Sequence, residues 1–158
     1  MNLQVVKFRD VDVNDHFFDS LRADYAEFQE WFTRKANDCA YLHRDSAGVI
    51  NGFLYQKIEF EKLEDVIPAQ PSKKRMKIGT LKIDAHGTRL GERFIKKSVD
   101  YALKENVEEI YVTIFPKHTA LISLLTKYGF KHEADKVSKN GKELVLIKNM
   151  RMQYNDIN

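Results

Sequence analysis

The stretch Lys82-Ile83-Asp84-Ala85-His86-Gly87-Thr88-Arg89-Leu90-Gly91-Glu92-Arg93-Phe94 decides how this chain is read. Upstream of it, residues 73–84 alternate around Met76, Ile78, Leu81 and Ile83, which is the period of a strand. Downstream, Leu90, Phe94, Ile95, Val99, Ala102 and Leu103 recur at helical spacing. Residues 86–92 are therefore a glycine-containing turn from a strand into a helix. Such a turn presents unpaired backbone N–H groups and the positive end of the helix dipole, both suited to an anion. Gly87 permits a positive φ, and Gly91 lets another group approach the backbone closely. Taken alone, the same residues describe an ordinary strand-to-helix turn. The neighbouring elements have to decide.

Working outward, residues 3–8 read as a strand, and Asp12 and Asn14 as caps for a helix carrying Phe17, Phe18, Leu21 and Tyr25. A second helix carries Phe28, Trp31 and Phe32. Residues 39–43 and 48–60 are strands joined by the turn Arg44-Asp45-Ser46-Ala47-Gly48. Residues 61–72, with Pro68 and Pro71, are an irregular link, and Gly79 marks a bulge in the next strand or a plain strand glycine. Residues 109–115 are nearly all apolar, as in a strand buried on both faces. Ala120, Leu121, Leu124, Leu125 and Tyr128 line a helix that Gly129 stops. Residues 130–137 and 143–150 pair across Lys139-Asn140-Gly141. The order is β-α-α-β-β-β-α-β-α-β-β. This predicts an α/β fold with a mixed, mostly antiparallel sheet of about seven strands and about four helices. It forms one domain over residues 1–152, with a frayed tail at 153–158.

Composition narrows the function classes. At 158 residues, with 43% hydrophobic and 31% charged, the chain is one globular domain rather than a disordered segment. No apolar run approaches the roughly 18 residues that span a bilayer. Residues 1–7 lack the features of a signal peptide, so a cytoplasmic protein is expected. The lone cysteine, Cys39, excludes an internal disulfide and a multi-cysteine zinc site, and is expected in the core. No metal is called for. A net charge of +3 falls short of a dedicated nucleic-acid binder. The run Lys73-Lys74-Arg75, with Lys77 and Lys82, is read as a solvated face.

The element order, with its glycine turn, resembles the GCN5-related N-acetyltransferase fold over about residues 3–150. The central motif of that family is Arg/Gln-x-x-Gly-x-Gly/Ala. Its marked positions fall on His86, Arg89 and Gly91, of which the last is a standard match. A second signature, Tyr-x-x-x-Gly-Phe, meets Gly129-Phe130. Its usual Tyr position is Leu125, and the Asn that precedes it is His118. The chain looks like an atypical member.

The resemblance implies acetyl-coenzyme A as cosubstrate, and direct transfer of its acetyl group to a primary amine. It places the pyrophosphate on His86, Gly87, Thr88, Arg89, Leu90, Gly91 and Glu92. The thioester arm would lie on the main chain of Leu81, Lys82 and Ile83, with Ile114 and Phe115 opposite, and His118 would touch coenzyme A. Transfer needs a deprotonated amine, a polarised carbonyl and a proton for the leaving thiolate. Leu125 removes the usual acid. Tyr128, three residues on, is the candidate acid, with a packed aromatic as the alternative. Glu59, with Glu61 on the same strand face, is the candidate base, with solvated charge as the alternative. Arg75, Lys77 and Lys82 suggest an acceptor that bears an anionic group. Two other readings stay open: an acyl-coenzyme A-binding module without turnover, supported by Leu125, and an acetyltransferase acting on aminoacyl-tRNA, supported by the 73–77 cations. A homodimer is open, and a membrane partner is not expected.

Overall fold

The computed structural model describes residues 3–84 and 89–151. Seven strands and four α-helices follow one another as β1 (Gln4–Lys7), α1 (Asp19–Asp24), α2 (Phe28–Arg34), β2 (Cys39–Arg44), β3 (Ile50–Glu59), β4 (Arg75–Ile83), α3 (Leu90–Lys104), β5 (Glu109–Ile114), α4 (Thr119–Lys127), β6 (Lys131–Ser138) and β7 (Gly141–Asn149). This is the predicted order. The strands pair as β1-β2-β3-β4-β5-β7-β6. The β4–β5 pair is parallel, while β1–β2, β2–β3, β5–β7 and β6–β7 are antiparallel. No helix among the described residues is long and apolar enough to cross a membrane. The chain divides into two compact units, Met1–Tyr55 with Thr80–Leu90, and Gln56–Gly79 with Gly91–Asn158.

The first unit is built on aromatic rings. Phe8, Phe17, Phe18, Phe28, Phe32, Phe53 and Tyr55 are buried together, with Trp31 packed against them. Phe8 meets Phe53 and Tyr55 edge-on at 5.5 and 5.1 Å, the T-shaped geometry that the ring quadrupole favours. Short helices suffice here because the rings, not helical propensity, supply the stability. The cap lies slightly later than expected. Asp12 accepts from the Asn14 N–H, but Asp15 caps the 3-10 turn His16–Phe18 by accepting from the Phe17 N–H. In the β2–β3 turn, Asp45 accepts from the Ala47 and Val49 N–H groups at 2.8 and 3.0 Å, and Gly48 takes φ +85°. Cys39 begins β2 and is exposed, not in the core as expected. The β2 side chains buried at this point are Ala40 and Leu42.

In the second unit, Phe94, Ile95 and Ala102 bury one face of α3. Leu103, assigned to that face from the sequence, is 61% exposed, because the stripe is narrower than the spacing suggests. Helix α4 ends as predicted. Gly129 has φ +95°, Phe130 N–H reaches the Leu125 carbonyl at 3.1 Å, and Gly129 N–H reaches that of Thr126 at 3.1 Å. The β6–β7 loop is Lys139-Asn140, since Ser138 pairs with Gly141, which opens β7 instead of lying in the turn.

The link after β3 is more ordered than its composition suggests. Leu63 and Val66 are buried against Tyr111, Ala134, Val145 and Ile147, so the link covers one face of the C-terminal strands. Ile67 exchanges two main-chain hydrogen bonds with Asp135 of β6, at 2.8 and 2.9 Å. Arg75 fastens the link from below. Its guanidinium donates to the carbonyls of Pro71 and Glu61 at 2.7 and 3.3 Å, and to Glu109 Oε1 at 2.8 Å.

Candidate active site

The β4–β5 ladder pairs Arg75 with Glu109, Met76 with Ile110, Lys77 with Tyr111 and Ile78 with Val112. Gly79 follows the last of these pairs, while β4 continues to Ile83 and β5 to Ile114. Alternation then sets two rungs of side chains on one sheet face, Arg75 beside Glu109 and Lys77 beside Tyr111.

The first rung is a buried charge network. Arg75 is 1% exposed and pairs with Glu109, which also takes Lys73 Nζ at 3.0 Å. Lys74 donates to the Glu105 carbonyl and sits 5.9 Å from the Phe60 ring centroid. The run 73–75 is thus not a solvated face. Its cations hold the link and the sheet, and Arg75 could not be buried without Glu109. Lys82, in the first unit, donates to the Phe17 carbonyl, lies 4.7 Å over that ring and is 3.7 Å from Asp84.

The second rung brings together Glu59, Lys77 and Tyr111 from β3, β4 and β5. Tyr111 is buried and donates its hydroxyl hydrogen bond to Glu59 Oε1. Burial, then that bond, push the phenol well above its ordinary value, so it stays protonated. Lys57 approaches Glu59 Oε2 at 3.4 Å. Lys77 is half-buried, with its ammonium 6.0 Å from the Tyr111 ring centroid. Burial holds it below the ordinary lysine value; Glu59 and Asp65 oppose this, and Lys136 and Lys57 add to it. Tyr111 was hidden in the sequence by its apolar neighbours. The available signal was a lone phenol, two residues after Glu109, in a strand otherwise rich in Ile and Val. Glu61 does not share the face of Glu59. It lies beyond the end of β3, is exposed and accepts from the Phe60 N–H.

The other sequence-predicted positions are scattered. His86, Gly87 and Thr88 lie outside the described residues. Arg89 is exposed, Leu90 is buried at the start of α3, and Gly91 and Glu92 form its half-buried first turn, with Glu92 3.5 Å from Lys127. Leu81, Lys82 and Ile83 end β4, each half-buried. His118 is exposed at the cap of α4, where its carbonyl accepts from Ile122 N–H at 3.0 Å. Tyr128 caps the other end of α4, with Lys127 5.7 Å over its ring and Lys148 donating to its carbonyl at 2.7 Å. It forms no hydrogen bond with Glu59. Leu125 is fully buried in the core.

No protein-family model and no curated protein matches the sequence. Solved structures do. An N-acetyltransferase from Staphylococcus aureus Mu50 aligns over 96% of this chain and 100% of its own, with TM-score 0.64 and 13% identity. Naa20 from Chaetomium thermophilum, in complex with a bisubstrate analogue, aligns over 99% and 89%, with TM-score 0.61 and 12% identity. PaiA N-acetyltransferase from Thermoplasma acidophilum, in complex with coenzyme A, aligns over 94% and 99%, with TM-score 0.58 and 13% identity. The chain therefore has the fold of the GCN5-related N-acetyltransferases.

Proposed function

We propose that this protein is an acetyl-coenzyme A-dependent N-acetyltransferase that moves an acetyl group directly to a primary amine. The observation that carries the reading is the fold, shared along nearly the whole chain with acetyltransferases that include one bound to coenzyme A. The main-chain groups of Leu81, Lys82 and Ile83, at the end of β4, are the proposed contacts of the thioester arm. The turn into α3, from His86 to Glu92, receives the pyrophosphate through its N–H groups and the helix dipole. Arg89 adds a guanidinium there, and His118 a ring nitrogen toward coenzyme A. Glu59 takes the proton of the acceptor ammonium; Tyr111 orients it. The amine nitrogen attacks the thioester carbonyl, the C–S bond breaks, the thiolate leaves with a proton, and the nitrogen's second proton passes to solvent as the amide forms. Tyr128 is the proposed proton source.

One observation favours a second reading, an acyl-coenzyme A-binding module without turnover. Leu125 is sealed in the core where the acid would stand. The third reading, acetylation of aminoacyl-tRNA, rests on the 73–77 cations, of which Lys73, Lys74 and Arg75 contact the protein itself. Calorimetry with acetyl-coenzyme A and coenzyme A release over a panel of amines separate the first two. Binding with turnover supports the enzyme. Binding without turnover on any amine leaves the module, and no binding removes both.

A further inference from the structure

Among the described residues, Lys77 has no carboxylate within 4 Å. Every other charge around it is already satisfied. Glu59 holds the Tyr111 hydroxyl on one oxygen and Lys57 near the other, at 3.4 Å. Asp65, on the link, pairs with Lys136 of β6 at 3.4 Å. Arg75 and Lys73, one rung away, share Glu109. The group comprises three cations, Lys57, Lys77 and Lys136, and two carboxylates, Glu59 and Asp65, and so carries one positive charge in excess. A partly desolvated ammonium without an ion pair is costly, and the cost is relieved when an anion arrives.

We propose that Lys77 is a specificity-determining residue that binds an anionic group, carboxylate or phosphate, carried by the acceptor amine. This rests on the acetyltransferase reading and adds the substrate class to it. Among the described residues Glu59 meets the Tyr111 hydroxyl and Lys57 but lies beyond ion-pair distance of the Lys77 ammonium. The aromatic face of Tyr111 limits the ammonium's access to water on one side and so strengthens a contact made on the other. The acceptor class is then an amine bearing an acidic group, and a plain alkylamine leaves Lys77 as it stands.

The test compares matched acceptors, phosphoethanolamine against ethanolamine and β-alanine against propylamine. Coenzyme A release is followed for wild type, Lys77→Gln and Lys77→Arg. Wild type should prefer the anionic member by about tenfold or more in kcat/KM, as one charge-assisted contact implies. Lys77→Gln should abolish most of that preference and Lys77→Arg should keep it, since charge is retained. A preference equal in all three proteins, or absent in wild type, overturns the proposal. If no amine is acetylated, the enzymatic reading fails, and calorimetric titration of phosphoethanolamine and β-alanine into wild type and Lys77→Gln decides this one. Binding that weakens about tenfold in the variant supports it. Equal binding, or none, overturns it. Circular dichroism of both variants checks that the fold is intact.

Discussion

Arg89, a guanidinium before the first turn of α3, is exposed, and its proposed role is to contact a phosphate of the cosubstrate. A charge-assisted contact of about 1.5–3 kcal/mol implies that Arg89→Ala raises the dissociation constant for acetyl-coenzyme A roughly tenfold or more. Arg89→Lys should recover only part of this, for want of the planar fork. Calorimetry at equal salt checks both, and a change within about twofold leaves the backbone amides as the whole site. Tyr111 was not legible, because its meaning depends on Glu59, 52 positions away in sequence. A phenol whose folded value lies above its unfolded value of about 10 stabilises the fold below that pH, and the contribution disappears as pH rises beyond it. Tyr111→Phe should therefore be less stable than wild type at neutral pH and lose less of its stability between pH 9 and 11. Parallel alkaline curves in thermal unfolding would contradict the raised phenol.

At the scale of elements, local signals were read correctly and long-range ones were not. The Gly129 stop, the Asp45 turn and the β6–β7 hairpin each depend on a few neighbouring residues. Their positions emerge within a residue or two. The run 73–75 was read as solvated because its partner Glu109 lies on another strand, 34 positions from Arg75. Cys39 was misplaced because periodicity in a short strand does not reveal which face of the sheet is covered at its first residue. The Arg75–Glu109 pair yields a sharp expectation. Glu109→Ala strands a buried guanidinium and should cost about 3–5 kcal/mol, seen as a large fall in melting temperature. The joint change to Arg75→Met and Glu109→Leu should cost far less, and equal losses would show that the pair is not the reason. Helix α4 offers a second. Leu125 is 0% exposed, so Leu125→Tyr overpacks the core and should cost about 1–3 kcal/mol. An unchanged denaturation midpoint would mean that the slot has room.

For the molecule as a whole, the order of elements was fully readable, since eleven periodic segments in sequence leave few topologies that avoid crossed connections. What remained hidden was the use of the link, because a segment without period gives no clue to what it covers. Strand β6 ends the sheet, and an end strand offers a row of N–H and C=O groups to any passing chain. Ile67 already occupies the Asp135 pair of that row, and Lys131 and Lys136 add charge beside it. A neighbouring chain could extend the sheet along β6 only by first displacing the link and breaking two formed hydrogen bonds. The segment that covers one face of the C-terminal strands thus also keeps that place on the sheet's open edge filled.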